Sequence, residues 1–176
     1  MAERPPQLDE TDLAILRELQ TDGRMANVEL AARVGLSASA TLERVRRLER
    51  EGVIEGYVAR VDPAALGRHV TVFVAVSLKD HNREAVRNFE EAVGRVGEVL
   101  ECHHVAGEAD FLLKLLVHDV AALRDVLVEQ ISQIPNVGRV HSTLVLSTSK
   151  HSLSVPLQEP GRRPPPGGTR KTGAPT

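Results

Sequence analysis

The spacing of apolar side chains is helical before residue 54, and from residue 70 a strand period of two enters and alternates with helical stripes. That switch demands two differently built halves. In the first, Leu13, Ile15, Leu16 and Leu19 recur as on one face of a helix, which Asp22-Gly23 ends. A shorter helix follows, with Asn27 expected as its N-cap, Leu30, Ala31 and Val34 on one face, and Gly35 at a left-handed C-terminal position. Ser37 is expected to cap a third helix, in which Leu42, Val45 and Leu48 form the buried stripe and which Gly52 stops. The β-formers Tyr57, Val58 and Val61 predict a strand over residues 55–61, and Asp62-Pro63 a turn after it.

Beyond the switch, Val70, Val72, Val74, Val76 and Leu78 alternate as a strand, and Val86, Phe89, Val93 and Val96 mark a helix. Residues 99–105 and 111–117 read as a hairpin around a turn containing Gly107. Val120, Leu123, Leu127, Ile131 and Ile134 form a second helical stripe, Pro135-Asn136 breaks it, and residues 140–148 alternate as a last strand. The order βαββαβ is that of a ferredoxin-like sheet with both helices on one face. The fold class is therefore α+β in two domains, a helix-turn-helix over residues 1–54 and a ferredoxin-like domain over 68–150. A strand and linker over 55–67 joins them. Phe73 and Ala75 lie on the strand face that the helices do not cover, and Leu112 and Leu116 alternate with Phe111, Leu113 and Leu115. An apolar second face predicts packing against another copy of the chain, against the plainer alternative of scattered surface hydrophobes.

At 176 residues the chain has room for two compact lobes. No run of apolar residues has the length of a membrane span, and the polar start Met1–Glu10 is unlike a signal peptide, so a cytoplasmic, nucleoid-associated protein without membrane contact is expected. The lone Cys102 excludes an internal disulfide framework. A net charge of −2 is silent on nucleic acid, because local patches decide phosphate contacts. Tyr57, Phe73, Phe89 and Phe111 are too few to build a platform that stacks single-stranded bases. Residues 151–176, rich in Pro, Gly and Arg, have no apolar periodicity and are expected to form a disordered tail.

The second and third helices with their turn at Gly35-Leu36 make a helix-turn-helix, which presents one helix to the major groove of double-stranded DNA. The expected DNA-contacting residues are Ser37, Ser39, Ala40, Thr41, Glu43, Arg44, Arg46 and Arg47: small ones for close approach, arginines for phosphate or guanine. On an isolated helix the same arginines would read as a solvated, ion-paired face.

Leu8-Asp9, Asn27 to Gly35, Leu36-Ser37, Leu42-Glu43-Arg44-Val45-Arg46-Arg47-Leu48-Glu49, and Gly52-Val53-Ile54 with Gly56-Tyr57 together resemble the Lrp/AsnC (leucine-responsive/asparagine-regulatory) family, near its leucine-responsive branch. The segment Glu101 to Leu113 is similar to the signature of that family's C-terminal RAM domain. The likeness spans about residues 8–150. It implies a winged helix-turn-helix and amino-acid-responsive control of transcription, by homodimers that assemble further, often to octamers, with the effector between subunits. It places the effector at the turn Gly107, Glu108, Ala109 and Asp110, and at Asn136, Val137 and Gly138. There Gly107 would admit a ligand carboxylate and Asp110 an ammonium group; by its residues alone the turn also reads as an ordinary hairpin. Ala109 departs from the family pattern, where an aromatic residue is common.

Glu101, Cys102, His103 and His104 invite a metal reading, but neighbours on a strand point to opposite faces, so at most Cys102 and His104 would share an ion; no metal or cofactor is expected. No Walker loop, nucleophile elbow or dinucleotide turn is present, so no enzyme is expected. The alternative function is an effector-independent architectural protein that coats or bends DNA.

Overall fold

The computed structural model describes residues 6–157, which divide into two compact units: residues up to 59 together with those from 152 onward, and residues 60–151. Among the described residues no helix is long and apolar enough to cross a membrane.

The first unit holds α1 (Glu10–Thr21), α2 (Asn27–Val34) and α3 (Ala38–Arg50). Ile15, Leu16, Leu30 and Leu48 are its buried centre, with Leu19, Val34, Val45, Val53 and Ile54 packed around them. Asp9 caps α1 by accepting the amide of Asp12, whose own carboxylate accepts the amide of Asp9, so two orphan amides are satisfied reciprocally. Gly35 takes the left-handed conformation (φ 70°) that its place after α2 requires, and Ser37 caps α3 by accepting Ala40 N–H.

Four expectations are corrected in this unit. Asn27 does not cap α2; it is the first helical residue, and its Nδ2 donates to Ala38 O at 2.8 Å, which ties α2 to the start of α3. Leu42 is 38% exposed, because α3 turns Thr41 and Leu48 inward instead. No strand forms over residues 55–61, where Tyr57, Val58 and Val61 are exposed and no ladder partner exists among the described residues. The tail does not begin at 151: Leu157 packs on the three-helix core, and Gln20 clamps the backbone of Val155, accepting its N–H at 2.6 Å and donating to its C=O at 3.2 Å. Residues 158–176 lie outside the described residues.

The second unit is a four-stranded antiparallel sheet in the order β2-β3-β1-β4, from β1 (Val70–Leu78), β2 (Val99–His104), β3 (Phe111–Val117) and β4 (Val137–Leu144). α4 (Arg83–Val93) follows β1, and α5 (Val120–Asp125) follows β3. The helical run of α5 continues through a wider π-type turn at Val126–Gln130 and a tighter one at Ile131–Gln133, so the single expected helix changes pitch twice. β4 starts earlier than expected, at Val137, because Asn136 reverses the chain with φ 70°, and its pairing with β1 runs out at Leu144 opposite Val72. Val72, Val74, Val76, Phe111, Leu113, Leu115 and Val117 point to one face and are buried with Phe89, Val93 and Ile131. The register places Phe73 opposite Lys114 and Ala75 opposite Leu112 on the other face, whose centre thus holds apolar residues together with Lys114, which pairs with Glu101 of the edge strand β2 at 2.7 Å.

Candidate nucleic-acid interface and effector site

The outer surface of α3 follows from its helical phase. With Thr41 and Leu48 inward, Ser39, Leu42, Glu43, Arg46 and Arg50 face solvent, and Ala40 is half-buried. Thr41, expected to contact DNA, is fully buried, and its hydroxyl donates to Ser37 O at 3.0 Å, so it belongs to the core. Ser37 spends its hydroxyl on the cap, with Ser39 Oγ 3.2 Å away.

Arg44 and Arg47, expected to contact DNA, also make ion pairs within the unit. Arg44 Nη1 donates to Asp9 Oδ2 at 2.6 Å and to Asp12 Oδ1 at 2.9 Å, while Arg47 Nη2 donates to Asp12 Oδ2. The Asp12 side chain is 1% exposed, the two arginines about a third exposed, and Asp9 half exposed. The Arg44 guanidinium, with the Asp12 amide, holds the Asp9 carboxyl below the ordinary aspartate range. Asp9 and Asp12 escaped the sequence reading. The signal was there, in two acids one helical turn apart at the start of α1 and two arginines one turn apart in α3. Asp9, Arg44 and Arg47, with Ala40, Glu43 and Arg50, line a cleft of about 350 Å3. On the other side of α1, Arg33 of α2 pairs with Glu18 and Glu29, each at 2.7 Å.

In the second unit, residues 107–110 and 136–138 meet at the C-terminal end of β1. Asp110 Oδ2 accepts Leu78 N–H at 2.8 Å, and its other oxygen lies 3.0 Å from His81 Nδ1. Glu108 O accepts from Ser77 Oγ at 3.3 Å and from Arg139 at 3.4 Å. Asn136 brackets Asp80, accepting its N–H at 3.0 Å and donating to its C=O at 2.8 Å. A Cβ on Gly138 would sit 3.1 Å from Ser77 O, a tight contact that a larger residue would relieve only by shifting the strands by a few tenths of an ångström. At Gly107 a Cβ would meet nothing within 4 Å, and with Glu108 it is exposed, while Ala109 is half-buried. Val137, expected at the effector site, turns its side chain into the core opposite Leu78.

His104 stacks on Phe111 with ring centroids 4.8 Å apart, and His103 lies 3.2 Å from Glu101. Burial and the Glu90 carboxylate push the Cys102 thiol upward, away from the thiolate a metal needs. Among the described residues no group of three or more His, Cys, Asp or Glu side chains is arranged to hold a metal ion.

Comparison with known proteins agrees with both halves. The family model for a winged helix-turn-helix DNA-binding domain matches residues 8–55, and that for the Lrp/AsnC ligand binding domain matches residues 71–155. The leucine-responsive regulatory protein of Escherichia coli is 44% identical over 145 residues, 82% of this chain and 88% of its own length. Transcriptional regulator AzlB of Bacillus subtilis is 37% identical over 152 residues, 86% of this chain and 97% of its own. Among solved structures, a transcriptional regulator of Neisseria meningitidis in complex with L-methionine superposes with a TM-score of 0.82 at 35% identity, covering 85% of this chain and 97% of that one. A feast or famine regulatory protein of M. tuberculosis complexed with L-methionine gives 0.75 at 40% identity, covering 82% and 96%.

A helix-turn-helix reader followed by a ligand-binding α/β domain defines a transcriptional regulator, and the relatives are named as regulators and not as enzymes. The chain belongs to the Lrp/AsnC family.

Proposed function

We propose that the protein reads double-stranded DNA through the outer face of α3 as a homodimer or higher assembly, and that an amino acid bound in the second unit changes its assembly or DNA affinity. The observation that carries this reading is the meeting of two distant segments, 107–110 and 136–138, at one end of β1, in a chain whose other unit exposes a helix-turn-helix. The two relatives crystallised with L-methionine support an amino acid as the ligand. Ser39, Ala40, Glu43 and Arg46 face the groove, with Ser37 fixing the helix start. Gly107, Glu108, Ala109, Asp110, Asn136 and Gly138 shape the effector site, with Val137 supporting it from the core. Asp110 has one oxygen committed to Leu78 N–H and turns the other toward His81, so the ammonium group would meet a carboxylate already held in place. The apolar residues Phe73, Ala75 and Leu112 on the open sheet face support pairing with a second copy. The protein would act on the chromosome in the cytoplasm.

The deciding experiment is a thermal-shift panel of the twenty amino acids followed by duplex binding with each hit, since a ligand that prefers the native state raises its apparent stability. L-Methionine or a related apolar amino acid is expected to raise the midpoint and alter DNA binding. Asp110→Asn, which keeps an oxygen for Leu78 N–H, should bind DNA normally and lose the response. No shift with any amino acid, together with duplex binding that depends little on sequence, would favour the architectural reading.

A further inference from the structure

We infer that the cleft between the start of α1 and α3 is a seat for a DNA backbone phosphate, with Arg44 and Arg47 positioned from behind by buried Asp12 and covered at the rim by Asp9, a carboxylate that the phosphate displaces. The inference rests on the reading that α3 engages duplex DNA.

Arg44 spends only Nη1 on the α1 carboxylates and Arg47 only Nη2. Their remaining guanidinium N–H groups have no protein partner among the described residues. A guanidinium fixed through one nitrogen presents its others in a set direction, which is the geometry that phosphate recognition rewards. The two carboxylates differ in what they can do. Asp12, at 1% exposure and outside the cleft lining, accepts from both arginines and from Asp9 N–H, so it is a positioning residue. Asp9, at 53% exposure, sits at the mouth with one oxygen on Arg44 and the other on Asp12 N–H. Releasing Arg44 leaves its helix cap intact. Arg50 lines the same cleft and has no ion pair among the described residues. The lining carries three arginines against Asp9 and Glu43, and buried Asp12 takes up a third positive charge through its pairs with Arg44 and Arg47, so the charges balance and would not hold a phosphate until Asp9 yields.

The cap makes the test clean, because asparagine caps a helix as well as aspartate does. Binding of the full chain to a mixed-sequence DNA duplex is measured against salt for wild type, Asp9→Asn, Glu10→Gln and Asp9→Asn/Arg44→Ala, with thermal unfolding as the check on folding. Asp9→Asn is expected to bind severalfold more tightly at low salt, because the phosphate no longer has to displace a carboxylate, and with a steeper salt dependence, because no anion is left beside the seated phosphate. Glu10→Gln removes an equal charge one residue away and should gain much less, and adding Arg44→Ala should cancel the gain. Wild type indifferent to duplex DNA would remove the reading of α3 and this inference with it. Wild type that binds, with Asp9→Asn unchanged in affinity and slope, would overturn the inference alone, as would an equal gain in Glu10→Gln or one that survives Arg44→Ala.

Discussion

Asp12 shows how one residue can outweigh a charged surface. Its carboxylate is fully buried and accepts hydrogen bonds from Asp9 N–H, Arg44 and Arg47, so removing it leaves Arg47 without its carboxylate partner and Arg44 with Asp9 alone. Breaking a fully buried pair costs roughly 3–5 kcal/mol; here both guanidiniums keep some water, and Asp12→Ala is expected to cost about 2–3 kcal/mol in urea unfolding of the N-terminal unit. Asp9 contributes differently with pH. Its carboxyl titrates below the ordinary range because Arg44 hydrogen-bonds to it, so its stabilisation is fully present above the unfolded value of about 3.9 and disappears as pH falls through the lowered one. The thermal midpoint of wild type should therefore converge on that of Asp9→Asn on acidification below about pH 4 and stay separated above it. Neither role was legible from composition or charge. The arginines at 44 and 47 read as solvated or DNA-facing because their partners lie more than thirty residues away in α1.

Elements whose signal is local were legible and those that depend on a neighbour were not. Gly35 and Ser37 mark the turn between α2 and α3 by backbone conformation and cap chemistry alone, and the structure has both as expected. Gly35→Ala should cost about 1–2 kcal/mol through its left-handed backbone, since the space around it is open, and Ser37→Ala about 1 kcal/mol through the lost cap, both read in thermal unfolding. β1 and β3 match their expected bounds because alternation over seven or more residues has one reading in a half-covered sheet. Residues 55–61 carry β-forming side chains but no neighbouring strand, so propensity misled. Leu42 misled for a related reason. Apolar spacing in α3 admits two phases, and Thr41, small and able to bond back to Ser37 O, took the inward position. The proposed effector site reads in the sequence as two separate segments and not as a cluster, since bringing 107–110 to 136–138 needs the order β3-β1-β4, which no local pattern states.

At the scale of the whole molecule, the sequence divides at one place and the structure at two. The first unit is completed by Ser152–Leu157, through the Gln20 clamp and the packing of Leu157. Leu157→Ala should lower the stability of that unit by about 1 kcal/mol, and ending the chain at His151 by more, seen as faster amide exchange in α1 and α2 with β1 and β3 unaffected.

The polypeptide visits the DNA reader twice, once on the way out and once on the way back. Exchanging sensing modules between relatives, in the laboratory or by recombination, consequently needs two junctions, near residues 59 and 152. A chimaera spliced only at the first would inherit a foreign closing segment, and its reader would be built on a side chain at position 157 that was never selected to fit.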